Sequence, residues 1–110
     1  MLFRSQKFEQ AENKLYQAQL KFRNDSIELT AAKLNEKVAE EQLVRMEELY
    51  KEGLKSLTEY ETRKLKMQET KAKVIAQENK LITTKNEVLN ARIELQSIDA
   101  DYNEIGRAHV

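Results

Sequence analysis

The chain has 110 residues, enough for one domain or a piece of one, and carries 19 basic and 19 acidic side chains for a formal net charge of zero. With 35% charged residues, 6% aromatics, no proline and no cysteine, it is too polar for a thick globular core. The same composition excludes disulfides and thiolate metal sites, gives no basic block for nucleic acid, and matches that of long helices and coiled coils.

The first expected element is a helix over residues 2–52. One heptad register runs through it at Phe8, Ala11, Leu15, Ala18, Phe22, Asp25, Leu29, Ala32, Glu36, Ala39, Leu43, Met46 and Tyr50. The alternating three–four spacing turns one face toward a partner helix. Leu20, Ile27 and Leu34 form a second stripe at spacing seven. Asn24-Asp25-Ser26 is ambiguous, because Asp25 with Glu28 could open a new helix as a capping box. The register crosses it unchanged, which favours one continuous helix with a polar position in its core.

At the middle of the chain stands Gly53, one of only two glycines. Glycine takes positive φ without Cβ strain and suits the residue just past a helix end. Ser56 follows, with Glu59 three residues beyond it, in the Ser-x-x-Glu spacing of a capping box. The order is stop, turn, start, with the tip at 53–56. A second helix is expected over 57–104. It has a three–four series at Leu65, Gln68, Ala72, Ile75, Asn79, Ile82, Asn86, Leu89, Ile93, Gln96 and Ala100. A stricter stripe recurs every seven residues at Tyr60, Met67, Val74, Leu81, Val88, Leu95 and Tyr102. Two arms of nearly equal length around one tight turn predict an all-α fold, a long antiparallel two-helix coiled-coil hairpin. Two separated apolar stripes per helix fit either a wide face in an ordinary bundle or a hairpin that pairs internally and also packs against neighbouring subunits.

The tail Glu104-Ile105-Gly106-Arg107-Ala108-His109-Val110 resembles a translated DNA-sequencing adapter: GAG ATC GGA AGA GCA CAC GTC followed by TGA spells it. On that reading residues 105–110 are not native, the rest is an open-ended fragment, and His109, the only histidine, is no catalytic or metal candidate. The other reading is a natural terminus with a Gly-containing cap. No cofactor is expected, and without a Gly-rich phosphate loop or metal-spaced cluster neither is enzymatic activity. No apolar run approaches the ~20 residues that span a bilayer.

Arg45, Leu49 and Ser56, spaced with three and then six residues between them across the tip, resemble the Arg-Leu-Ser motif of the periplasmic adaptor proteins. These are also called membrane fusion proteins, the HlyD-like secretion and efflux adaptors. Ser56-Leu57-Thr58-Glu59-Tyr60-Glu61 is similar to the family's Ser-x-x-Glu-Tyr-Asp run, and the likeness covers residues 1–104. Lys55 stands where many members have an apolar residue, and Thr62-Arg63 replaces a small one. The resemblance implies a hairpin that projects from lipoyl-like and β-barrel domains held at the inner membrane, in the periplasm. Its partners would be an outer-membrane channel met at the tip, neighbouring adaptor subunits, and an inner-membrane transporter reached through the other domains. Arg45, Leu49 and Ser56 match the docking positions. Each also has a plainer role open to it: Arg45 as a surface charge paired with Glu41 or Glu48, Leu49 as hairpin core, Ser56 as the N-cap. A generic coiled-coil scaffold or dimerisation module explains the heptads equally well.

Overall fold

A computed structural model describes the backbone of residues 4–108 and the side chains of residues 6–101 and 103. The fold is all-α: helix α1 spans Arg4–Lys51, helix α2 spans Leu57–Ala108, and the two pack against each other as an antiparallel hairpin. Strong helix formers fill both, and no proline interrupts either. Helix α1 is continuous through Asn24-Asp25-Ser26, so Asp25 is a position within the helix and not a cap. Helix α2 continues past Glu104, where it was expected to end, as far as Ala108. A single glycine near a helix end, Gly106, lowers helix stability by only about 1 kcal/mol relative to alanine. His109 and the side chains of the tail lie outside the described residues.

Contacts divide the chain into two units, Met1–Asp25 with Leu81–Val110 and Ser26–Lys80. In the first, Ala11 and Ala91 are buried, while Leu15, Phe22, Val88 and Leu95 are half-buried around them. Thr84 Oγ donates a hydrogen bond to Asp25 Oδ2 at 2.7 Å, and both residues are buried. Lys14 bridges Glu94 at 2.9 Å and Lys21 bridges Glu87 at 3.3 Å on the solvent-exposed rim. In the second unit, Ala32, Ala39 and Val74 are buried, with Leu29, Leu43 and Met67 half-buried. Burying a valine side chain such as Val74 contributes about 1.5–3 kcal/mol. Lys80 bridges Glu28 at 3.1 Å. Exposed pairs of this kind are worth roughly 0–1 kcal/mol each, so they select the register more than they hold the helices together.

The α1 seam is the one the heptads mark: every marked position from Phe8 to Met46 is buried or half-buried, and only the last, Tyr50, is exposed, at 38%. On α2 the structure decides between two stripes. The stricter one is covered, and the three–four series from Leu65 to Ala100 is the one left outside, with Leu65, Ile75, Ile82 and Ile93 57% to 62% exposed. The buried face combines the spacing-seven stripe, Met67 to Leu95, with Arg63, Thr70, Gln77, Thr84, Ala91 and Ile98 between its members. The two buried threonines tolerate this face because their hydroxyls find partners, whereas the buried Oε1 of Gln77 has none. Thr84 reaches Asp25, and Thr70 donates back to the carbonyls of Lys66 at 3.1 Å and Met67 at 2.9 Å.

Candidate functional site: the hairpin tip

The corner is built from two interlocking end signals. Gly53 has φ of +75° and ends α1. Its N–H donates to the Tyr50 carbonyl at 3.0 Å, and the Leu54 N–H donates to the Leu49 carbonyl at 2.8 Å. These are the two bonds of a Schellman motif, which satisfy carbonyls left over at the helix end. Three residues on, the reciprocal capping box forms. The Glu59 N–H donates to Ser56 Oγ at 3.1 Å, and the Ser56 N–H donates to Glu59 Oε2 at 3.2 Å. The expected turn and cap residues, Gly53, Ser56 and Glu59, therefore act together.

Beneath the corner the rings of Tyr50 and Tyr60 stack with centroids 5.3 Å apart and planes 20° from parallel. Lys64 Nζ lies 4.5 Å from the centre of the Tyr60 ring. Stacked rings and a cation over a ring face each add roughly 0.5–1 kcal/mol beyond burial, which braces the base of the turn. Tyr60 is thus a packing residue.

Of the three docking candidates, the structure brings two together. Arg45 and Leu49 line one open groove of about 200 Å³ with Gln42, Met46 and Arg63. Arg45 is exposed and pairs with neither Glu41 nor Glu48, so its guanidinium faces solvent. Leu49 is half-buried, part hairpin packing and part open surface. Ser56 does not line this groove. It sits exposed at the start of α2, where its oxygen accepts the cap and its own hydroxyl proton is not used by that cap.

Two features were not singled out from the sequence. Leu54 and Leu57 stand in and beside the turn and are 65% and 50% exposed. Apolar residues in a solvent-facing corner were the available signal. Arg63, noted above only as a departure from the family pattern, is half-buried and donates through Nη1 to Gln42 Oε1 at 2.9 Å. No heptad argument flags an arginine at a seam position.

Among the described residues no group of three or more His, Asp or Glu side chains is placed to hold a metal ion. No helix is long and apolar enough to cross a membrane. Comparison of the chain with protein-family models, with curated proteins and with solved structures finds no match.

Proposed function

We propose that this chain is the helical hairpin of a periplasmic adaptor, a non-enzymatic piece that links an inner-membrane transporter to an outer-membrane channel in a secretion or efflux system. The observation that carries the reading is the corner itself. Arg45 and Leu49 open onto one groove beside the single turn of the hairpin, and Leu54, Ser56 and Leu57 are exposed at its apex. Reversing the chain calls for Gly53, Ser56 and Glu59, with Leu54 as the apolar residue that commonly follows the glycine, but not for an exposed Leu57 or an arginine without a carboxylate. A docking tip uses all of them: the leucines bury against the partner, Arg45 offers a fork of donors to carbonyls or carboxylates, and Ser56 offers a hydroxyl.

The outer faces support the second partner of this reading, neighbouring subunits. Ile27 and Leu34 on α1, and Ile75, Ile82 and Ile93 on α2, are more than half exposed at helical spacing. Each helix therefore carries an apolar stripe that the other does not cover, as expected of hairpins laid side by side in the cell envelope.

The test uses the complete reading frame that contains this hairpin, expressed with its transporter and channel. Arg45→Glu and Ser56→Trp should each abolish export, while the 110-residue chain with the same change keeps its helical circular dichroism. Export that survives both substitutions removes the docking role and leaves a coiled-coil scaffold.

A further inference from the structure

In an antiparallel helix pair, side chains on one rim face each other at intervals of seven residues. In the unit Ser26–Lys80 the rung Glu28–Lys80 is bridged at 3.1 Å. One heptad nearer the corner the same count reaches Asn35 and Lys73, and two heptads nearer it reaches Gln42 and Lys66. Neither rung supplies a carboxylate. The Gln42 amide oxygen already accepts from Arg63. These four side chains rim an open groove of about 410 Å³ whose floor includes Ala32, Ala39 and Thr70. The Thr70 hydroxyl is committed to its own helix, so the floor presents methyl groups and no free polar group there. Glu69, also on the rim, lies within helical reach of both lysines but forms an ion pair with neither. The groove meets that of Arg45 and Arg63 at Gln42, and the two together carry four cations and one carboxylate.

We propose that this side of the unit seats a helix of a partner protein that carries acidic residues, with Lys66 and Lys73 as the groups that select it. The inference rests on reading the hairpin as a docking module and extends the contact from the corner down its side. Lys66 and Lys73 leave α2 seven residues apart, about 10 Å along the axis. Any second helix repeats a face at the same interval. A partner with Asp or Glu at positions seven apart therefore gives one carboxylate to each ammonium, completing the two rungs that the hairpin leaves incomplete. The alanine floor lets a ridge of small or medium apolar side chains settle between them. A second copy of this chain fits less well. Its exposed Glu41 and Glu48 have the right interval, but laid level with the groove they put Leu34 opposite Lys73. Because the lysines sit on the rim, their effect is on selectivity and salt dependence.

The probes are two stapled alanine-rich helical peptides, one with two glutamates seven residues apart and one with glutamines there. Each is titrated into the isotope-labelled 110-residue chain. The glutamate peptide should shift the amide signals of Ala32, Ala39 and Thr70 and bind about tenfold tighter than the glutamine peptide at low salt. That preference should vanish in K66Q/K73Q, whose side chains make no ion pair in the hairpin, so that helical content is unchanged. Equal binding of the two peptides, shifts confined to the Ile75 and Ile82 stripe, displacement of the peptide by a second copy, or no binding at all would each overturn the proposal. Lys66 and Lys73 lie outside the corner. If the peptide preference fails while R45E still abolishes export, only the lateral seat is lost and the docking tip stands.

Discussion

Thr84 is 1% exposed and Asp25 3%, the least accessible polar residues described in the hairpin, and they are joined by a 2.7 Å bond. A carboxyl oxygen and a hydroxyl buried on facing helices satisfy each other only in one register. A slip by one heptad would bury both without this bond. Thr84→Val keeps the shape and removes the donor, and should lower the unfolding free energy by about 1–3 kcal/mol. Asp25→Ala with Thr84→Val should cost less than the sum of the two single changes, as urea unfolding of the four-member cycle would measure. Additive losses would mean that the bond contributes nothing. Asp25 could be placed in the seam from its spacing alone. Thr84 could not, because a threonine in a helix gives no sign of whether it faces water or an aspartate on another helix.

At the scale of the element, the corner is where local chemistry decides most. Gly53 at φ of +75° has open space where a Cβ would go, so the cost of Gly53→Ala is backbone strain alone, about 1–2 kcal/mol. Ser56 has one observed role, the cap, and one proposed role, docking, and substitutions separate them. Ser56→Ala should lose about 1 kcal/mol through the cap, whereas Ser56→Asp retains a capping oxygen and should stay near the parent in thermal unfolding. If Ser56→Asp also leaves export intact, the hydroxyl plays no part in docking.

The corner was legible because its signals are local: Gly53, Ser56 and Glu59 act on backbone within five residues of themselves. The seam of α1 was legible because its three–four register runs unbroken from Phe8 to Met46, whereas the rival stripe has only Leu20, Ile27 and Leu34. The face of α2 was legible in half. The spacing-seven stripe marks Met67, Val74, Leu81, Val88 and Leu95, which are buried or half-buried, but nothing in hydropathy places Thr70, Gln77 and Thr84 beside it. The equally regular series with Leu65, Ile75, Ile82, Leu89 and Ile93 left open which stripe meets α1. Arg63 and the lysine groove were out of reach for the same reason, since they follow from which face of α2 meets α1.

At the scale of the molecule, the outward aliphatics are the feature a lone hairpin does not explain. On the proposed function these side chains meet neighbouring subunits. Replacing Ile75, Ile82 and Leu89 with glutamine should leave helical content unchanged, because these residues do not line the seam. It should also shift sedimentation of concentrated samples toward the monomer. A parent chain that is already monomeric at high concentration, or a variant that associates equally, would remove neighbouring subunits from the proposed function.

Reversing the chain once, at a corner with its own hydrogen bonds, also sets the order in which contacts become affordable to a folding polymer. The bond between Arg63 and Gln42 spans 21 residues, whereas the bridges Lys80–Glu28, Lys21–Glu87 and Lys14–Glu94 span 52, 66 and 80. Closing the longest of these loops in an open coil is the most improbable event, but once the inner contacts exist each further bridge has only short free segments left to gather. Loop closure alone therefore orders the bridges outward from the corner, Glu52 to Ser56, like a zipper drawn from its closed end.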